Sequence, residues 1–173
     1  ARSAIGRAAR DWRRLIDGAW AKAADMSPAV AAFEAALLCA LTAEAGASLA
    51  SWFGGAKKRL KTNLTLSAWD DPALTEDAAS EAARDGFDIL KIKVGGAFRD
   101  DISRGRAARR GAPRARLILD GNQGLSPRGA LRLLEAVRKE GAHVDLLEQP
   151  VSKDDPKGMA FVARRADVLV AAD

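Results

Sequence analysis

Leu90-Lys91-Ile92-Lys93-Val94-Gly95 is the stretch on which the reading of the chain turns. Apolar residues alternate there with two lysines, the period-two pattern of a β-strand with one polar face. Three further apolar runs follow, and each closes on a carboxylate. They are Leu117-Ile118-Leu119-Asp120, Val144-Asp145-Leu146-Leu147-Glu148 and Val168-Leu169-Val170-Ala171-Ala172-Asp173. From Lys93 the steps to Asp120, Glu148 and Asp173 are 27, 28 and 25 residues, and each interval holds a helical segment. That rhythm belongs to a repeated strand-helix unit with polar chemistry at the carboxyl end of every strand.

Parallel strands joined by helical crossovers all point the same way, so residues at corresponding strand ends converge although they are distant in sequence. Three acids and two lysines brought to one edge form a costly cluster unless a bound ion balances it. A divalent metal is the economical explanation.

Working outward, residues 1 to about 24 read as a helix with Trp12, Leu15, Ile16 and Trp20 on one face. A second helix opens at Ser27-Pro28, with Ser27 as N-cap, and buries Phe33, Leu37, Leu38 and Leu41. A short helical segment spans Leu49 to Phe53 before Gly54-Gly55. After Lys57-Lys58-Arg59 the period changes, and Lys61 to Leu66 is the first expected strand. Helices are expected at Leu74 to Asp85, Asp100 to Arg110, Pro127 to Glu140 and Asp154 to Arg165. Strands are expected at Ile89 to Val94, Arg116 to Asp120, Val144 to Glu148 and Val168 to Ala172. The fold class is α/β, with residues 1–58 a helical module and 59–173 about half of the roughly 250 residues of a strand-helix barrel. An open five-stranded sheet is the structural alternative.

The chain has 173 residues, 48% of them hydrophobic and 29% charged, enough for a real core. Net charge is +5. Much of the excess lies in Arg7 to Arg14 and Arg104 to Arg116, on expected helices or their ends and without interleaved Phe or Tyr, so these arginines read as solvated faces and not as a nucleic-acid surface. The one cysteine, Cys39, lies in an apolar run and reads as a small core residue. No signal peptide and no span of about 20 apolar residues is seen, so neither membrane nor export is expected and the localisation follows as cytoplasmic. His143 reads as structural, and Gly95-Gly96 lacks the spacing of a phosphate loop.

Lys91-Ile92-Lys93, Asp120-Gly121-Asn122, Glu148-Gln149-Pro150 and Ala172-Asp173 together resemble the motifs of the enolase superfamily, in its muconate lactonizing enzyme subgroup. The wording around them is most similar to the dipeptide epimerases of the L-Ala-D/L-Glu type. The resemblance implies a partial modified TIM barrel, its first five strand-helix units, preceded by helices of a capping domain. It implies Mg²⁺ held by Asp120, Glu148 and Asp173, with Lys93 as the base that abstracts a proton alpha to a carboxylate and Lys91 beside it lowering its pKa and neutralising the enolate. Asn122 orients the site, and Thr65 at the end of the first strand is a candidate substrate contact. The implied substrate is a small molecule, a dipeptide or another carboxylate, with self-association left open.

The same framework serves o-succinylbenzoate synthases, N-acylamino acid racemases and muconate cycloisomerases. A reading of a different class is an inactive barrel piece that only binds or assembles. The second base that epimerisation needs, the Glu expected after Asp173 and the late strands lie outside the sequence, which reads as the middle of a longer enzyme.

Overall fold

In a computed structural model the described residues are 4–55 and 60–173. Residues 1–3 of the first expected helix, and the whole run Lys57-Lys58-Arg59 with residue 56, lie outside them. The chain divides into two compact units, Ala1–Leu60 and Lys61–Asp173.

The first unit is helical. A 3₁₀ turn at Ala9–Asp11 leads into α1 (Trp12–Ala23), a second turn at Ala24–Met26 leads into α2 (Ser27–Glu44), and α3 (Leu49–Trp52) is one turn long. The first helix thus begins later than its pattern suggests, because Gly6 takes φ 76 and interrupts the chain before it. Ser27 does not cap α2. It is itself helical, and the cap position falls on Met26 without a side-chain bond. The buried positions are Ile16 on α1 and Val30, Leu38 and Thr42 on α2. Phe33, Leu37 and Leu41 are half-buried beside them. Cys39, expected in the core, is exposed, since one residue past Leu38 turns about 100° around the helix. Trp20 likewise stays 39% exposed. Within Ala9–Glu44 an 18-residue window of mean hydropathy 1.6 is long and apolar enough to cross a membrane by composition alone, contrary to the expectation that no such stretch exists.

The second unit alternates strand and helix: β1 (Leu64–Leu66), α4 (Pro72–Arg84), β2 (Ile89–Lys93), α5 (Phe98–Gly111), β3 (Arg116–Asp120), α6 (Pro127–Lys139), β4 (His143–Glu148), α7 (Pro156–Ala163) and β5 (Leu169–Ala171). The five strands form one sheet in the order β1-β2-β3-β4-β5, and every pair is parallel. This is the α/β architecture the repeat implied. β1 is only half the length its alternation suggested, pairing through Leu64 to Leu66.

Helix starts follow the local chemistry. Asp71, Ser126 and Asp155 each accept a backbone N–H of the first turn, and Pro72, Pro127 and Pro156 follow them with φ already set. Asp71-Pro72 therefore opens α4 two residues before the expected Leu74. α6 buries Ala130, Leu133, Leu134 and Val137, the spacing of one helical stripe. These meet Leu66, Leu90, Ile92, Leu117, Leu119, Val144 and Leu147 in the core cluster. One sheet face is therefore sealed by helices. The other carries the rows Thr65-Lys91-Ile118-Leu146-Leu169 and Lys93-Asp120-Glu148-Ala171, as the strand register dictates.

Salt bridges tie neighbouring helices and loops: Arg106–Glu140 at 2.7 Å, Arg110–Glu76 at 2.7 Å, and Arg138–Asp167. The Arg106 and Arg138 guanidiniums hold the carboxyls of Glu140 and Asp167 below their ordinary values. A depressed carboxylate stabilises the fold above its unfolded pKa and loses that contribution as pH falls through the folded one. Arg106→Met with Arg138→Met should therefore make the fall of Tm from about pH 5 to about pH 3 shallower, measured by calorimetry. Leu133, fully buried, should lose about 2–5 kcal/mol on truncation to Ala. Leu169→Ser, at a position 73% exposed, should change unfolding free energy by no more than about 0.5 kcal/mol. Urea titration distinguishes the two.

Candidate active site

β2 places Lys91 and Lys93 on the open face because Leu90 and Ile92, the alternate residues, are both fully buried against the helices. β3 does the same for Asp120, the register partner of Lys93. β4 requires a correction to simple alternation. Leu117 pairs with Val144 but Ile118 pairs with Leu146, so Asp145 is an extra residue in the ladder. Without that bulge Glu148 would share the helix-facing side of Val144; with it, Glu148 stands opposite Asp120.

The charges converge on Asp120, which is 2% exposed. Lys91 Nζ lies 3.5 Å and Lys93 Nζ 3.4 Å from its Oδ2. Lys91 Nζ also donates to Glu148 Oε1 at 2.9 Å, and Lys93 Nζ donates to Asn122 Oδ1 at 2.6 Å. Asn122 returns two donors to Asp120 Oδ1, its backbone N at 3.1 Å and its side-chain Nδ2. The Glu148 hydrogen bond holds the Lys91 ammonium above its ordinary 10.5; burial opposes this and the Glu148 and Asp120 charges add to it. A raised lysine contributes its attraction below its unfolded pKa and loses it only as pH climbs through the folded value, so Lys91 is a fixed cation at neutral pH.

The two strand ends are held in backbone conformations that side chains rarely adopt. Asn122 and Gln123 take φ 40 and 68, and Gln149 takes φ 30. Such outliers persist where the surroundings over-determine them. The spacing that singles out Lys93, Asp120 and Glu148 assigns Gln149 no role, and the structure gives it one. It is 6% exposed, donates Nε2 to Val151 O at 2.8 Å, and accepts the Asp173 backbone N–H on Oε1 at 2.8 Å. It thereby ties the end of β5 to the turn after β4.

The sequence-derived site residues fall as follows. Lys91, Lys93, Asp120, Asn122 and Glu148 come together. Thr65 lies on the same face, the register partner of Lys91, and is exposed. Asp173 is two residues past Ala171, the register partner of Glu148, with its side chain exposed. Among the described residues no three Asp, Glu, His or Cys side chains are grouped closely enough to hold a metal. The two lysines supply the counter-charge at Asp120. The donor chemistry nevertheless fits a hard divalent cation: carboxylate oxygens at adjacent strand ends, with amide and ammonium groups holding them in place. His143 is surface-exposed and pairs with Asp145 at 3.3 Å. Arg104, counted with the solvated arginines, is instead buried, because it partners Asp101.

With this geometry in place, comparison with known proteins defines the class. The family described as Enolase C-terminal domain-like matches residues 73–173. An aromatic dipeptide epimerase of Herpetosiphon aurantiacus is 36% identical, across 98% of this chain and 48% of its own length. A crystal structure from Sorangium cellulosum, described as a mandelate racemase/muconate lactonizing enzyme, superposes with TM-score 0.84 at 44% identity, over 95% of this chain and 46% of that one. A dipeptide epimerase of Enterococcus faecalis V583, complexed with Mg and L-Leu-L-Tyr, gives TM-score 0.82 at 29% identity, over 97% and 47%. The chain belongs to the enolase C-terminal domain-like family. It spans about half the length of the relatives it matches.

Gln149→Leu removes both side-chain bonds and leaves Val151 C=O and Asp173 N–H without partners. It should cost about 1–3 kcal/mol in urea titration and speed amide exchange at Asp173.

Proposed function

We propose that this chain supplies the metal-holding and first proton-transfer half of a Mg²⁺-dependent isomerase that moves the proton alpha to a carboxylate in a dipeptide. The observation that carries the reading is Lys93 Nζ set 2.6 Å from Asn122 Oδ1 and 3.4 Å from buried Asp120, at the carboxyl ends of adjacent parallel strands. Active sites of strand-helix barrels occupy that end of the sheet. The named activity of the Herpetosiphon aurantiacus relative, and the Mg and dipeptide of the Enterococcus faecalis complex, support the substrate class and the cation.

Lys93 takes a proton from, and returns it to, one face of the alpha carbon. Asn122 and Asp120 fix where its ammonium stands. Lys91, held charged by Glu148, offsets negative charge on the deprotonated substrate and does not itself accept the proton. Asp120, Glu148 and Asp173 would hold Mg²⁺, which when bound acts as a Lewis acid toward the substrate carboxylate. Thr65, exposed one row below Lys93, is positioned as a substrate contact. The opposite face of the alpha carbon needs a second base from outside these residues.

A chimeric barrel tests this, with residues 1–173 replacing the corresponding half of the Herpetosiphon aurantiacus epimerase. It should epimerise at least one member of a dipeptide panel that includes Ala-Glu and Leu-Tyr, followed by chiral chromatography. Activity should vanish in EDTA and return with Mg²⁺. Lys91→Met should lower kcat by about 10²-fold, the scale of losing one preorganised charge. A folded chimera that moves no alpha proton would sink the reading.

A further inference from the structure

A buried ion pair lies behind the site and has no part in the chemistry above. Asp101, in the first turn of α5, is 1% exposed, and Arg104, one turn on, is 7% exposed. The carboxylate divides its oxygens. Oδ1 accepts from Arg104 Nη2, and Oδ2 accepts the backbone N–H of Gly95 at 2.9 Å. Arg104 Nε is buried with no acceptor. Desolvating two charges commonly costs more than the pair returns, and apolar residues of similar size often stabilise a fold as well or better. Stability is thus a poor reason for this pair, and what it holds is a better one.

It holds Gly95, two residues beyond Lys93. Strand pairing ends one residue earlier, where Val94 N donates to Asp120 O at 2.8 Å, so the Gly95 N–H depends on Asp101. Gly95 takes φ +103, and a Cβ there would stand 2.6 Å from Gly121 O and 3.2 Å from Gly124 Cα. Gly124 meets the same restriction from Gly95 O at 2.6 Å, and Gly121 meets Pro150 Cα at 2.6 Å. The turns after β2, β3 and β4 are therefore stacked backbone against backbone. Those turns follow Lys93, Asp120 and Glu148. Gly95 and Gly96, the outermost layer, have no side chains of their own to fix them.

We propose that Asp101 is a positioning residue for Lys93: through the Gly95 N–H it fixes the turn that sets Lys93 against Asp120 and Asn122, while Arg104 holds the carboxylate in place. The catalytic consequence rests on the reading of Lys93 as a base; the positional claim does not.

Two double variants separate positioning from bulk stability. Asp101→Leu/Arg104→Met removes the charges and the acceptor, whereas Asp101→Asn/Arg104→Met removes the charges and keeps an oxygen for Gly95. In the 173-residue chain the leucine double should raise amide exchange at Gly95 at least tenfold and change the acetylation rate of Lys93. The asparagine double should restore both. In the chimeric barrel the leucine double should lower kcat at least tenfold with KM within twofold, and the asparagine double should recover it. If the leucine double does not fold, Asp101→Glu, which displaces the carboxylate by one methylene, takes its place with the same expectation. Equal Gly95 exchange in the two doubles, or a kcat that follows melting temperature alone, overturns the proposal. An inactive parent chimera refutes the proton-transfer reading, and Gly95 exchange then decides the positional claim by itself.

Discussion

A carboxylate that is almost completely buried cannot stand alone, and Asp120 is the point from which the rest of the second unit can be understood. Removing such a charge from water costs several kcal/mol, and close opposite charges with hydrogen bonds are what offset it. Asp120 has two ammonium groups within 3.5 Å and an asparagine clamped to its other oxygen. Those partners come from two separate places in the chain, the lysines from the strand before it and the asparagine from the turn after it. The cluster exists only if the strands are parallel and adjacent and their registers agree to the residue.

The register is secured in three ways. On the helix-facing side, Leu90, Ile92, Leu117, Leu119 and Leu147 lock the strands against α4 to α7, so a slip by one residue would turn every core leucine outward. At the carboxyl end, glycines at 95, 121 and 124 let three turns approach more closely than any side chain would allow. The bulge at Asp145 is the third device, because it changes the phase of β4 after Val144 and delivers Glu148 to Lys91. Pre-organised charge of this sort is what proton abstraction from a weak carbon acid calls for, since the charges need not rearrange as the reaction proceeds.

Much of this could be read from the residues. The even spacing of Lys93, Asp120, Glu148 and Asp173 gave the parallel order, and Ser126-Pro127 gave a helix start to the residue. Ser27-Pro28 carries the same signal and is not a cap, because the preceding 3₁₀ turn already winds the chain through Ser27. The bulge could not be read, since Val144-Asp145-Leu146-Leu147-Glu148 is consistent with either phase until its partner strand is known. Cys39 is exposed and Arg104 buried, against their sequence patterns, for one reason. Burial of a single helical residue depends on which neighbour it faces, and composition does not carry that. The clustering of Asp173 with the other acids, implied by family resemblance, is not reproduced by side-chain grouping; what holds Asp173 is the amide of Gln149.

The role proposed for Lys93, a base on one face of the alpha carbon, is read out by isotope exchange in D₂O. In the chimeric barrel, each epimer of an accepted dipeptide is incubated separately and deuterium incorporation is followed by NMR. Lys93→Ala should lose exchange from one epimer by at least about 10³-fold, the scale of losing a positioned general base, while the other epimer still exchanges. Undiminished exchange from both epimers would rule Lys93 out as that base.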